Sequence, residues 1–187
     1  MARHRAKQRR SIRLPQFDYT QPGAYSVTIC THPHAPLFGQ IVDAKVRLNS
    51  YGKVVHEYWR QIPNHNPLVQ LDAFVVMPNH LHGIVVLAHD PRGRGTACRT
   101  PTERFGQPVP GSLPTLIRSF KSAATRGINR LRGTPGGRVW QRGYYERAIR
   151  NERELSAVRR YIAYNPLKWE LDPENPANQD KSERVEP

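Results

Sequence analysis

Residues 77–84 read MPNHLHGI, with His80 and His82 separated only by Leu81. In an extended chain, side chains two apart share a face, so the two imidazoles point together while Leu81 enters the opposite layer. That arrangement lets two neutral ring nitrogens share one divalent ion. The plainer reading is a hydrogen-bonded histidine pair on a half-exposed strand. The HxHxD pattern of metal hydrolases is not met, because Ile84 stands where the aspartate belongs. Gly83 is expected to leave room beside the pair for a substrate. A mononuclear centre needs a further ligand and a group to do chemistry, and the stretch YIAYNP at 161–166 offers both. Tyr161 and Asn165 are four apart, hence neighbours on one face of a helix. A lone helical tyrosine is usually a packing residue; here Arg159 and Arg160 precede it, which is unusual for a purely structural contact.

The elements that must carry these residues can be read from periodicity. AYSVTICT alternates Tyr25, Val27 and Ile29 against Ser26, Thr28 and Cys30, a half-buried strand. GQIVDAKVRLN gives two short extended pieces turning at Asp43 and Ala44. SYGKVVHEYWRQI sets Val54, Val55, Tyr58, Trp59 and Ile62 on a helical stripe capped by Asn49 or Ser50. VQLDAFVVM and HLHGIVVL are two β-rich runs interrupted by Pro78 and Asn79. PTLIRSFKSAATRGINRL is a helix with Pro114 in its first turn and Ser112 as cap. RVWQRGYYERAI reads as a last strand with a basic polar face. Asn151 and Glu154 then open a helix that Pro166 stops, with Leu155, Val158 and Ile162 available for packing. The order is β, hairpin, α, β, β, α, β, α. Without the hairpin and last helix this is the α+β, ferredoxin-like or RNA-recognition-like βαββαβ sheet with its helices on one face.

Length and charge bound the rest. The chain of 187 residues suits one domain. Residues 1–13 read as a basic flexible arm, 14–169 as a single domain containing a long Pro/Gly/Arg-rich loop at 88–112, and 170–187 as a disordered acidic tail. Cys30 and Cys98 are the two cysteines, too few for a disulfide framework or a four-cysteine zinc site, and a reducing cytoplasm fits. No apolar run is long enough for a membrane helix or a signal peptide. The net charge of +14 favours a polyanionic partner, most often nucleic acid. Between Arg118 and Arg160 twelve bases face three acids. Arg118, Lys121, Arg126, Arg130, Arg138, Arg142, Arg147 and Arg150, with Arg159 and Arg160, are the candidate phosphate contacts, which implies affinity that falls steeply with salt. Trp140, Tyr144 and Tyr145 either stack on unpaired bases or pack in the strand.

Three separated motifs, VVMPNHLHGIVVL, WQRGYYERAIRNE and YIAYNP, together with the opening RLPQFDYTQPGAYSVTICTH…LFGQIV, occur in an order that resembles the REP-associated tyrosine transposases. These belong to the single-tyrosine HUH transposase superfamily, related to small insertion-sequence transposases. The resemblance runs from about Arg13 to about Trp169. It implies that His80 and His82 bind a catalytic divalent metal, Mg2+ or Mn2+, that Asn165 is a third ligand, and that Tyr161 is the nucleophile. Tyr164 is the alternative nucleophile, and Asn165, which precedes proline, has helix capping as its alternative role.

The activity so implied is that of a DNA transposase, a site-specific single-strand endonuclease and ligase. Tyr161 attacks a phosphate of hairpin-forming repeat DNA, leaving a 5′-phosphotyrosine link and a free 3′-hydroxyl that a second strand can exploit. Tyrosine's ordinary pKa of about 10 makes the phenol a poor nucleophile unless a metal stabilises the growing charge. The resemblance further implies a monomer, single-stranded or hairpin DNA as partner, no membrane, and a nucleoid-associated cytoplasmic location in bacteria. A non-catalytic nucleic-acid-binding protein of the same fold, and a nuclease in which water attacks, are the competing readings.

Overall fold

A computed structural model describes residues 21–89, 109, 111–172 and 174–178. Its elements are β1 (Gly23–Cys30), β2 (Gly39–Val42), β3 (Lys45–Leu48), α1 (Ser50–Arg60), a short α2 (Ile62–His65), β4 (Val69–Val76), β5 (His80–Leu87), α3 (Leu113–Arg132), β6 (Tyr145–Ile149), α4 (Glu152–Tyr164) and a 3-10 segment, Pro166–Leu171. The basic arm at 1–13 and most of the loop at 88–112 lie outside the described residues.

Four strands form one antiparallel sheet in the order β4-β5-β1-β6, while β2 and β3 pair separately. With the hairpin set aside, this is the ferredoxin-like arrangement expected from the element order: β5 inserts between β1 and β4, the two strands joined through α1. The hairpin turns where the sequence places it, with Asp43 and Ala44 both at positive φ, as a two-residue type I′ turn demands. Caps fix the helix starts. Asn49 Oδ1 accepts from the amides of Tyr51 and Gly52 at 2.9 and 3.0 Å, Ser112 Oγ accepts from Thr115 at 3.4 Å, and Asn151 Oδ1 accepts from Glu154 at 2.9 Å.

The two faces of the sheet carry different chemistry. Register places Tyr25, Val27 and Ile29 of β1 opposite Val85, Gly83 and Leu81 of β5, and these face α1 and α3 to form a core with Trp59, Val55, Phe120 and Ala124. Gly83 belongs to this side. A Cβ there would lie 2.5 Å from Trp59 Cζ2 and 3.3 Å from Phe74 Cβ, so glycine admits the indole, not a substrate. The expectation that Gly83 makes room beside the histidines is therefore corrected by strand alternation itself. The other face presents Thr28 and Cys30 opposite His82 and His80, and α4 packs over it.

Two further boundaries differ from expectation. The last strand covers only Tyr145–Ile149; the preceding residues touch the sheet through a single bridge from Trp140 to Thr31. The Lys121 ammonium donates to the carbonyls of Gln141 and Gly143 at 2.7 and 3.0 Å, taking up acceptors that a longer ladder would use. The acidic tail begins later than residue 170. Pro166–Leu171 forms a 3-10 segment, and Asp172 and Asn175 beyond it are buried, because Trp169 lies over His80 at 6.0 Å between ring centroids.

Candidate active site

His80 and His82 project from the start of β5 with ring centroids 4.5 Å apart. His80 is fully buried and His82 nearly so. Each has one nitrogen held by a neighbour. His80 Nδ1 lies 2.8 Å from Asn79 Oδ1, an oxygen that can only accept, so the proton sits on Nδ1 and the Nε2 lone pair is left free. His82 Nδ1 lies 2.7 Å from Thr28 Oγ1, its cross-strand neighbour. Histidines that bind metals are commonly oriented by such a second contact. Burial, reinforced for His80 by the neighbouring His82 and His34, lowers its pKa to about 2. Burial also lowers that of His82 to about 4, against an opposing pull from Asp172. Both rings are thus neutral at physiological pH, the form a metal requires.

The third acidic or basic group of the cluster is Asp172. One ligand atom from each of His80, His82 and Asp172 falls within 4.8 Å of the others, and all three residues are buried. Asp172 Oδ2 is 4.0 Å from His80 Nε2 and accepts from Asn165 Nδ2 at 3.0 Å, while Oδ1 accepts from the Glu174 amide at 2.8 Å. His80 Nε2 and Asn165 Oδ1 are buried without a hydrogen-bond partner among the described residues. A carboxylate, two neutral imidazoles and an amide oxygen, two of them with unmatched lone pairs, fit a divalent cation. Asn165 occupies the C-terminal cap position of α4, and its side chain lies in the cluster through its donation to Asp172.

Tyr161 reaches the cluster from α4. Its Oη is 3.3 Å from His82 Nε2, with ring centroids 5.1 Å apart. Burial, then the charges of Asp172 and Glu174, raise its pKa above the usual phenol value, with Asn165 pulling the other way; the phenol keeps its proton here. The ring is half exposed and lines a cleft of about 410 Å³ with Arg160, Tyr164, Lys168 and Leu171. Tyr164 borders that cleft and makes no contact with either histidine among those described.

The cations expected to meet DNA divide into groups. Arg118, Arg126 and Arg130 are exposed on α3, behind the sheet from the histidines, and Arg126 donates to Ser122 at 2.7 Å. Arg142 and Arg150 are exposed at the two ends of the β6 segment. Arg138 donates to the Trp140 carbonyl at 3.2 Å, and Arg147 pairs with Glu154 at 3.3 Å. Lys121 is held on its two carbonyls, and the Arg159 guanidinium takes both oxygens of Asp72 at 2.6 to 3.2 Å and Glu152 at 3.3 Å. Asp72 occupies the irregularity of β4 between Leu71 and Phe74, so this pair ties α4 to the sheet. Arg160 alone among these cations lines the cleft with Tyr161. Trp140 packs between Phe38 and Phe120, with centroids 5.1 and 5.8 Å away, so for this aromatic the packing reading holds.

Reasoning from sequence missed Asp172, Asn79 and Thr28. Asp172 stood in a stretch judged too polar to fold, although Trp169 and Leu171 just before it were a signal of attachment. In the sequence Asn79 reads as an interruption of the strand, whereas in the structure it orients His80.

No protein-family model matches the chain. An uncharacterised Haemophilus influenzae protein is 36% identical over 169 residues, spanning 88% of this chain and 91% of that one. A second H. influenzae protein, provisionally named a REP-associated tyrosine transposase, is 25% identical over 151 residues, 81% of this chain and 74% of that one. Among solved structures, that of a REP-associated tyrosine transposase bound to a REP hairpin shares the fold, with a TM-score of 0.53 and 17% identity over 83% of this chain and 73% of that one. Among the described residues, no helix is long and apolar enough to cross a membrane.

Proposed function

We propose that the chain is a REP-associated tyrosine transposase, a reading supported by its similarity to the H. influenzae relative of that name and by the shared fold, and that it cuts and rejoins single-stranded, hairpin-forming DNA through a 5′-phosphotyrosine intermediate. The observation that carries this reading is the 3.3 Å approach of Tyr161 Oη to His82 Nε2, at the edge of a buried cluster with unmatched ligand atoms.

In the proposed step the Tyr161 oxygen attacks a backbone phosphorus. The Oη–P bond forms, the P–O3′ bond breaks, and the phenolic proton is balanced by the one gained at the departing 3′-oxygen. Because the phosphodiester is exchanged rather than hydrolysed, a second 3′-hydroxyl can run the step in reverse and join strands without ATP. His80, His82 and Asp172 would hold a divalent metal, with Asn165 orienting the carboxylate or adding its own oxygen. Such an ion, Mg2+ or Mn2+, supplies Lewis acidity to the phosphate and offsets the carboxylate charge that keeps the phenol protonated. The protein's own residues do the rest. Asn79 and Thr28 fix the two imidazoles, the Arg159–Asp72 pair positions α4, and Arg160 and Lys168 flank the cleft where a phosphate would enter. Tyr164 offers a ring beside that cleft for an unpaired base.

The test is a denaturing gel of labelled hairpin oligonucleotides incubated with the protein and Mn2+ or Mg2+. A protein-linked band is expected, lost in Tyr161→Phe and retained in Tyr164→Phe. Cleavage without the adduct would assign the attack to water, and a gel shift with neither would leave a binding protein. Unchanged cleavage in the His80→Ala, His82→Ala double variant would remove the metal from the reading.

A further inference from the structure

A second cluster lies on the same face of the sheet, one strand over from His80. Cys30 of β1 is the cross-strand neighbour of His80 and is 2% exposed. Its Sγ is 3.4 Å from Glu174 Oε2, and His34 Nδ1 is 3.1 Å from the same oxygen. The ligand atoms of Cys30, His34 and Glu174 all fall within 4.8 Å of one another. His34 Nδ1 is buried and meets the Glu174 carboxylate outside hydrogen-bond geometry, while its Nε2 is contacted by the side chain of Gln141. The loop is shaped to bring it there: His34 holds a φ of 71°, which a non-glycine residue adopts only when its surroundings require it, and Thr31 Oγ1 closes the turn onto the Ala35 carbonyl at 2.9 Å.

We propose that Cys30, His34 and Glu174 form a second, structural metal site for a thiophilic divalent ion of the zinc class, separate from the hydroxyl and phosphate chemistry at His80, His82 and Asp172. Sulfur, imidazole and carboxylate are the donor set that zinc takes, whereas a thiol ligand disfavours magnesium and calcium. The partly exposed His34 and Glu174 leave a side open for water as a further donor. Binding releases the Cys30 proton to solvent, so the ion replaces one proton and gains a thiolate and a carboxylate. The carboxylate of Glu174, now matched by a thiol and an imidazole, would acquire a cation.

The site has a consequence for the first one. Glu174 lies two residues after Asp172, and its carbonyl accepts from Asn79 Nδ2, the side chain that also orients His80. An ion on Glu174 would therefore clip to the sheet the segment that delivers Asp172.

Cobalt distinguishes the two sites, because only the proposed one contains sulfur. Titrating the metal-free 187-residue chain with Co2+ should give a sulfur-to-cobalt charge-transfer band in the near ultraviolet that saturates at one equivalent and is displaced by Zn2+. The band should persist in Cys98→Ser, which removes the other cysteine, and in the His80→Ala, His82→Ala double variant. It should vanish in Cys30→Ser. In His34→Ala, whose fold is checked by circular dichroism, Co2+ affinity should fall by more than the roughly 10- to 100-fold that loss of an outer-shell partner causes. Absence of the band in the unaltered chain, its loss in Cys98→Ser, or unaltered affinity in a folded His34→Ala would each overturn the proposal.

Discussion

The two faces of one sheet obey opposite rules. On the α1 and α3 side, β5 contributes Leu81, Gly83, Val85 and Leu87 to a core in which Trp59 is wholly buried and meets Phe120 edge-on at 5.0 Å. On the α4 side, the same strand contributes His80 and His82, buried as deeply but surrounded by Asn79, Thr28, Asp172 and Asn165. The first face is stabilised by apolar burial, and the unmatched polar atoms within its core cluster are the donor N–H groups of Trp59 and Trp140. The second holds desolvated polar atoms, two of them without partners, an arrangement that lowers stability unless a ligand completes it. Burial alone therefore does not separate core from site; the state of the buried lone pairs does.

The contrast predicts opposite responses to substitution. Trp59→Ala should destabilise the protein by about 3–5 kcal/mol, the usual loss for a buried aromatic, measured by urea unfolding. Asp172→Asn should leave metal-free stability within about 1 kcal/mol, because the isosteric amide keeps one acceptor for Asn165 or for the Glu174 amide and removes a buried charge. Mn2+ affinity, read by calorimetry, should nevertheless fall by more than about tenfold in that variant. If the two variants lost stability equally, the faces would not differ in the way described.

Acid should find the second face first. A histidine whose folded pKa lies below its unfolded value of about 6.5 contributes stability that is present above that value and lost as pH falls toward the folded one. For His82, lowered by burial to about 4, the window is pH 6.5 to 4, and His80, lowered further, titrates in the same direction. In the metal-free protein the unfolding free energy should decline there by up to about 1.4 kcal/mol per pH unit for each ring. His82→Gln should reduce the slope by roughly half. A flat profile between pH 6.5 and 4 in chelator would contradict the neutral state assigned to both rings.

The same division decides what the sequence could reveal. The apolar face is written as alternation, Tyr25, Val27, Ile29 and then Leu81, Val85, Leu87, so strands, order and the ferredoxin-like sheet could be read from period alone. His80, His82 and Tyr161 stood out because their spacing matches an element's period and a known family's motifs. Asp172 and Glu174 have no period. They reach the site through a 3-10 segment held by Trp169, an attachment made by tertiary contact in a stretch whose acidic composition reads as solvated. Arg159 and Lys121 show the complementary error: a basic residue looks alike in sequence whether it faces phosphate or, like Arg159, is held at 2.6 Å by Asp72.

That pair supplies a smaller test. Arg159 and Asp72 are partly exposed, so solvent screens the bridge and it should contribute little to stability. Its effect should be on position instead. Arg159→Ala should slow formation of the Tyr161 adduct severalfold while leaving DNA affinity and its salt dependence unchanged, because the guanidinium serves α4 and not the strand.

The finest distinction concerns which face the DNA meets. Arg126 and Arg130 lie on α3, across the sheet from Tyr161, whereas Arg160 lines the same cleft as the nucleophile. Each phosphate neutralised on a single strand contributes about 0.7 to the slope of log affinity against log salt. Arg160→Ala should therefore lower the slope for a single-stranded hairpin flank by about that amount and slow adduct formation. Arg130→Ala should change neither, since a strand engaged at Tyr161 would have to cross the sheet to reach it. Fluorescence anisotropy across a salt series reads both. Equal slopes for the two variants would mean that the strand wraps onto α3, and that the basic helix face is part of the binding surface after all.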